Sequence, residues 1–303
     1  MKKRIYIWVF LALLAVYITL ALVLPPDPQT ASRLGLSDLA VRLLNLTVVI
    51  PISLVYLTAL YGFVHIDTYA NKVLDTKEGP HFKTLANGLA VLVFSLPVTS
   101  VLGSLRSYAR HAQPDLLASV SIMRNYVVLV LAVAALVLIA KGAQGLYGTL
   151  KRQSSELRHL SFYGMIGPVL LASLYTWLVI AQGYATPGDE PYFLPDWLII
   201  LTIVVPYVFA WCLGIRAALQ LRAFRRGVKG VVYKRAINSL AVGIAVVILV
   251  AILIQGVTSL GGALNRLNLT PLLALVYFLV SLYVVGYGLI ARGAKKLKQM
   301  EEA

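Results

Sequence analysis

Side chains able to do chemistry gather in one stretch, where His65, Asp67, Asp75, Glu78 and His81 all fall between positions 65 and 81. Imidazoles and carboxylates are the common ligands of zinc, and such a group beside a membrane face could also act on lipid headgroups. The spacing matches no ligand pattern, however. Lys72, Lys77 and Lys83 balance the acids, and the corresponding stretch later in the chain, Arg216 to Arg235, has no acids at all. The sequence therefore predicts a solvated, partly helical loop here. The other histidines, His111 and His159, and the remaining carboxylates also fall outside the apolar stretches. That leaves no facing histidines for haem and no clustered carboxylates for a dinuclear centre. Walker loops, dinucleotide glycine fingerprints and zinc-protease helices are missing too. Cys212 is the single cysteine, so no internal disulfide or thiol pair can form. No catalytic, cofactor or metal site is expected, and an enzyme is the least supported reading.

The elements that carry these residues follow from composition. Hydrophobic residues make up 59% of the chain and charged ones 13%, with a mean hydropathy of +0.82. So little polar surface cannot cover a water-facing globule, whereas lipid needs no such cover. Hydrocarbon offers no hydrogen bonds to a bare backbone, and apolar runs of about 20 residues satisfy theirs as helices. Eight such runs are expected: residues 5–24, 43–63, 84–105, 125–140, 162–181, 197–215, 236–255 and 271–291. The first begins like a signal peptide but ends in Pro25-Pro26-Asp27 without a small-residue cleavage site, so it reads as a retained helix.

Charge sets the expected orientation. Assigned to alternating sides, 21 of the 27 Lys and Arg residues share the side that holds both termini, while the 12 carboxylates divide evenly. By the positive-inside rule that side faces the cytoplasm, and a cell-membrane protein with cytoplasmic N- and C-termini is expected. A basic chain of this kind needs no nucleic acid to explain it. Anionic lipid headgroups are the expected partners, contacted through Arg222, Arg225, Arg226, Lys229, Lys234 and Arg235; a protein partner or a second copy stays open.

An internal repeat is the most informative pattern. Leu46-Thr47-Val48-Val49-Ile50-Pro51 returns as Leu201-Thr202-Ile203-Val204-Val205-Pro206, an offset of 155. Lys83-Thr84-Leu85-Ala86-Asn87 matches Lys234-Arg235-Ala236-Ile237-Asn238, and Leu138-Ile139-Ala140-Lys141-Gly142-Ala143 matches Leu289-Ile290-Ala291-Arg292-Gly293-Ala294, both at 151. The sequence thus predicts an all-α integral membrane protein of two tandem four-helix repeats, residues 1–154 and 155–303. Four helices per unit is an even number, so the halves should run parallel, related by a pseudo-two-fold axis along the membrane normal.

Polar residues shared by both halves are the candidates for a pathway or an inter-repeat contact: Thr47, Pro51, Asn87, Thr202, Pro206 and Asn238. Each proline frees a carbonyl one turn back, which a threonine hydroxyl can help to satisfy, and each asparagine can bridge helices. Only the first half carries Pro97 with Ser95, Thr99, Ser100 and Ser104, which draws a pathway toward the third span. Gly142, Gly145 and Gly148 make a small-residue stripe for close helix approach. Tyr6, Trp8, Tyr192, Trp197 and Tyr287 read as interfacial anchors. A transporter or channel for a neutral or hydrophobic solute leads, with a membrane scaffold that binds partners or anionic lipid as the alternative.

Overall fold

The computed structural model describes residues 2–24, 37–150, 204–259 and 269–300. Within them lie seven helices: α1 (Lys2–Val23), α2 (Asp38–Lys72), α3 (Gly79–Ala112), α4 (Pro114–Gly148), α5 (Val205–Gly227), α6 (Val231–Ser259) and α7 (Leu269–Gln299). All but α5 contain an apolar stretch of 20 to 34 residues, long enough to cross a membrane. Helix α5 falls short because Arg216, Arg222, Arg225 and Arg226 crowd its second half. The expected fifth span, 162–181, and residues 197–203 of the sixth lie outside the described residues.

Local chemistry sets the helix ends. The Ser37 hydroxyl caps α2 by accepting from the Ala40 N–H at 3.3 Å, satisfying one of the donors a first turn leaves open. Pro80, Pro114 and Pro206 each sit in the first turn of a helix, where the missing N–H costs nothing. Gly230, with φ at +89°, turns the chain between α5 and α6, a conformation that favours glycine.

Six helices pack as a closed ring in the order α2, α3, α4, α5, α6, α7 and back to α2, and α1 lies outside against α3 and α2. Tyr6 and Phe10 of α1 both meet the Phe94 ring edge-on, at 5.9 and 5.8 Å. Around the outside, Trp8, Leu39, Leu54, Val130 and Val231 are exposed, a surface that suits lipid and not water.

Glycines bring the helices close. A Cβ added to Gly142 would stand 2.6 Å from the Leu85 nitrogen and 2.9 Å from the His81 carbonyl oxygen, both backbone atoms of α3. On Gly293 it would stand 2.7 Å from the Ala236 carbonyl oxygen and 3.1 Å from the Leu240 nitrogen of α6. Two ring junctions join parallel helices. Along α2 and α7, Thr47 meets Tyr277 and Gly62 meets Ala291. Along α4 and α5, Leu136 meets Gly214 and Leu150 meets Gly227.

The stretch from His65 to Asn71 is helical and largely buried, not a solvated loop: α2 runs on to Lys72, with Ile66 and Ala70 fully enclosed. Asp67 enters this interior because Lys83 of α3 reaches its Oδ1 at 2.6 Å and the Asn71 amide donates to its Oδ2 at 3.2 Å. We expect Lys83→Met to destabilise the fold by about 1–3 kcal/mol, since a buried carboxylate loses its counter-charge. Adding Asp67→Asn should restore most of that loss in a detergent melting curve. If the double variant melts no higher than the single one, the ion pair is not what holds this turn.

Both helix-to-helix turns at this end carry the same furniture. Tyr69 and Phe82 meet edge to face at 5.1 Å and 89°, and Phe224 and Tyr233 at 6.3 Å and 86°. The N–H of Val73 bonds the Tyr69 carbonyl at 3.1 Å, and that of Val228 the Phe224 carbonyl at 3.3 Å. The turns are tied together where the Tyr233 hydroxyl donates to Glu78 Oε2 at 2.7 Å.

Candidate functional site

Four tyrosines from α1, α2 and α7 gather around α2, which packs against α1, α3 and α7. Tyr56 of α2 shares a hydrogen bond with the Ser100 hydroxyl of α3, and its ring lies 6.2 Å from that of Tyr17 on α1. Tyr283 and Tyr287 of α7 stack at 5.9 Å and 22°, as an i, i+4 pair on one helix face can. Tyr56 and Tyr287 belong to one buried core, and Tyr283 packs against it. Tyr17, Tyr56 and Tyr287 are 8%, 7% and 1% exposed.

Burial of this much hydroxyl is costly unless each group is paired. Tyr56 is paired; the Tyr287 hydroxyl and the Ser53 hydroxyl are buried with no hydrogen-bond partner. Tyr283 and Tyr287 lie nine and five residues before Arg292, about 14 and 8 Å along the helix axis. Neutral donors and acceptors, set in an aromatic surround, can hold an uncharged polar molecule. They offer no ionised group to a charged one.

The residues singled out from sequence take other places. The Thr47 hydroxyl donates to the Leu44 carbonyl at 2.7 Å and accepts from Tyr277 of α7, at an exposed position. Pro51 lies inside α2. Pro206 opens α5, and Thr202 lies outside the described residues. Asn238 accepts from Arg225 through its Oδ1, whereas Asn87 is exposed. Thr47 therefore shares the α2–α7 junction with the tyrosines, nine residues or about 14 Å nearer the start of α2 than Tyr56. Of the basic segment, Arg222, Arg226, Lys229 and Arg235 are exposed, and Arg225 and Lys234 are half-buried.

Of the polar run on α3, Ser100 reaches the cluster as the partner of Tyr56, while Ser95 and Thr99 donate to carbonyls of their own helix, Leu92 at 2.7 Å and Ser95 at 2.6 Å. The tyrosines themselves are missed by sequence, because a tyrosine in an apolar run looks the same whether it anchors an interface or lines an interior. Among the described residues no three His, Cys, Asp or Glu side chains stand close enough to hold a metal ion.

No family model matches this chain. Curated proteins and solved structures yield no match either.

Proposed function

We propose that the chain consists of two parallel units, 1–154 and 155–303, with both termini cytoplasmic, and that it passes a neutral solute through the tyrosine-lined junction between them. Several facts support the two-unit reading. The offset of 155 carries Tyr69 and Val73 onto Phe224 and Val228, and 151 carries Phe82 onto Tyr233. These are the residues of the two matching turns. Gly142 and Gly293, also 151 apart, pack against the backbones of α3 and α6. Each unit's second helix lies beside the last helix of the other unit, since α2 packs on α7 and α5 on α4.

The transport reading is carried by one observation: the partnerless Tyr287 hydroxyl inside a buried tyrosine and serine cluster at just one of these two junctions. At the other, the positions corresponding to Tyr56, Ser100, Tyr283 and Tyr287 hold Trp211, Ala251, Ala132 and Leu136. Leu136 packs there against Gly214. A fold that needed only to close its ring could do so as at that junction, where alanine and leucine replace the three hydroxyls of Ser100, Tyr283 and Tyr287. The hydroxyls therefore serve something that passes or binds. A solute without charge also explains why no ionised side chain stands among them.

The test is flux. Proteoliposomes should equilibrate small uncharged solutes, such as urea and glycerol, faster than protein-free vesicles after an osmotic step followed by light scattering. Equal rates for every solute tried would sink the proposal. The scaffold reading would then lead, supported by the exposed Arg222, Arg226, Lys229 and Arg235 at the basic end.

A further inference from the structure

The two units differ most in charge at the turn they share. In the first, Asp67, Asn71 and Lys83 satisfy one another, with the Lys83 ammonium 2.6 Å and the Asn71 amide 3.2 Å from the Asp67 carboxylate. The offset of 155 along α2 and 151 along α3 carries these three positions onto Arg222, Arg226 and Lys234. Those are the same offsets that superimpose the edge-to-face pairs, Tyr69 with Phe82 and Phe224 with Tyr233. A self-neutralised triad has become three cations.

Nothing described around them replaces the lost carboxylate. Arg225, the intervening guanidinium, donates to Asn238. Glu78 of the neighbouring turn accepts from the Tyr233 hydroxyl. Arg222 and Arg226 stand one turn apart on α5 and are exposed, while Lys234 follows on α6 and is half-buried. The register that sets Asp67 beside Lys83 would set two guanidiniums and an ammonium on neighbouring helices, a combination that suits the oxygens of a phosphate monoanion or diester, which accepts several charge-assisted hydrogen bonds.

Beside them Val231 and Val232 open α6 with 64% and 51% of their surface exposed. A free phosphate ion would leave these valines in water. A phospholipid would cover them with its glycerol and upper acyl region while its phosphate meets the cations. We propose that Arg222, Arg226 and Lys234 form a binding site for the phosphate of an anionic phospholipid headgroup. The site rests on the two-unit reading and not on solute transport.

The test rebuilds the first unit's chemistry in the second. The Arg222→Asp, Arg226→Asn variant of the full chain places a carboxylate and an amide opposite Lys234. Native mass spectrometry and melting curves in detergent, with added phosphatidylglycerol, phosphatidylcholine or inorganic phosphate, provide the readings. The natural chain should retain phosphatidylglycerol in preference to phosphatidylcholine and melt higher with it. The variant should lose affinity for phosphatidylglycerol by on the order of tenfold or more, given a surface attraction worth about fivefold per cation.

A second reading separates the two ideas. The variant should melt higher than the natural chain without lipid, and adding Lys234→Ala should erase that gain, because the gain is a new ion pair. If the gain depends on Lys234 but lipid affinity does not fall, the headgroup site is overturned and the two-unit reading stands. If Lys234→Ala changes nothing, the register itself is wrong and the site falls with it. Equal protection by inorganic phosphate and by phosphatidylglycerol would overturn the lipid assignment.

Discussion

Replacing Tyr287 by phenylalanine should cut solute flux by about tenfold or more while leaving the protein folded and slightly harder to melt. The hydroxyl is buried, 1% of the residue being exposed, and has no partner. Removing it relieves a desolvated polar group, a gain of about 1 kcal/mol. The ring, stacked on Tyr283, keeps its packing. A passing solute, by contrast, loses one of the few hydrogen bonds that surround offers, and 1.4 kcal/mol corresponds to about tenfold. Stopped-flow scattering on proteoliposomes and a melting curve on the same preparation give both numbers. A rise in stability with unchanged flux would mark the hydroxyl as a packing imperfection and remove the main support for transport. Tyr56→Phe behaves oppositely in stability: it should lose about 1 kcal/mol, because it strands Ser100.

Gly142→Leu should prevent α3 and α4 from packing and leave little folded protein to purify. Even the first added carbon would press on the Leu85 nitrogen and Cα and the His81 carbonyl oxygen, at 2.6 to 2.9 Å. These are backbone atoms of a continuous helix, so no side chain can rotate away, and overpacking of this kind costs about 1–3 kcal/mol even for small insertions. Without that contact the protein loses the α3–α4 junction at which Leu85, Leu89 and Ile139 are fully buried. Gly288→Ala is the control, since nothing lies within 4 Å of the added carbon. It should melt at or above the natural chain, as a helical glycine with room for the methyl gains about 0.5–1 kcal/mol when replaced by alanine. Comparable yields of Gly142→Leu and the natural chain in fluorescence-detected size-exclusion would show that α3 and α4 do not need this approach.

Much of the fold is legible in the sequence because lipid admits so few solutions. Apolar runs of sufficient length have to be helices, and those at 5–24, 43–63, 84–105, 125–140, 236–255 and 271–291 all fall on described helices. Their ends are harder to read. Charge marks His65 and Asp67 as the start of a loop, yet α2 continues, because Lys83 and Asn71 make Asp67 tolerable inside and allow Ile66, Tyr69 and Ala70 to be buried. That pairing depends on α3 returning at the right register, which the local sequence does not encode.

The glycine stripe fares better: Gly142 and Gly145 both lie against α3, Gly145 beside the His81 imidazole. The tyrosine cluster was half visible. Ser100 and its neighbours stood out as a feature of the first half alone, but Tyr287 reads as an interfacial anchor and is instead enclosed. Which helix faces which cannot be read from one helix at a time.

The parallel junctions have an electrostatic consequence. Of the six ring helices, α2, α4, α5 and α7 end at the basic face and only α3 and α6 begin there. Each helix end carries roughly half an elementary charge, negative at the C-terminus. The six ring helices therefore bring a net partial charge of about −1 to that face before any side chain is counted. Lys72, Arg225, Arg226, Lys296 and Lys298 occupy the last turns of α2, α5 and α7, where they oppose it. Part of the cation excess there is a counter-charge to the protein's own peptide dipoles, so exchanging those lysines for neutral residues weakens the helices they cap.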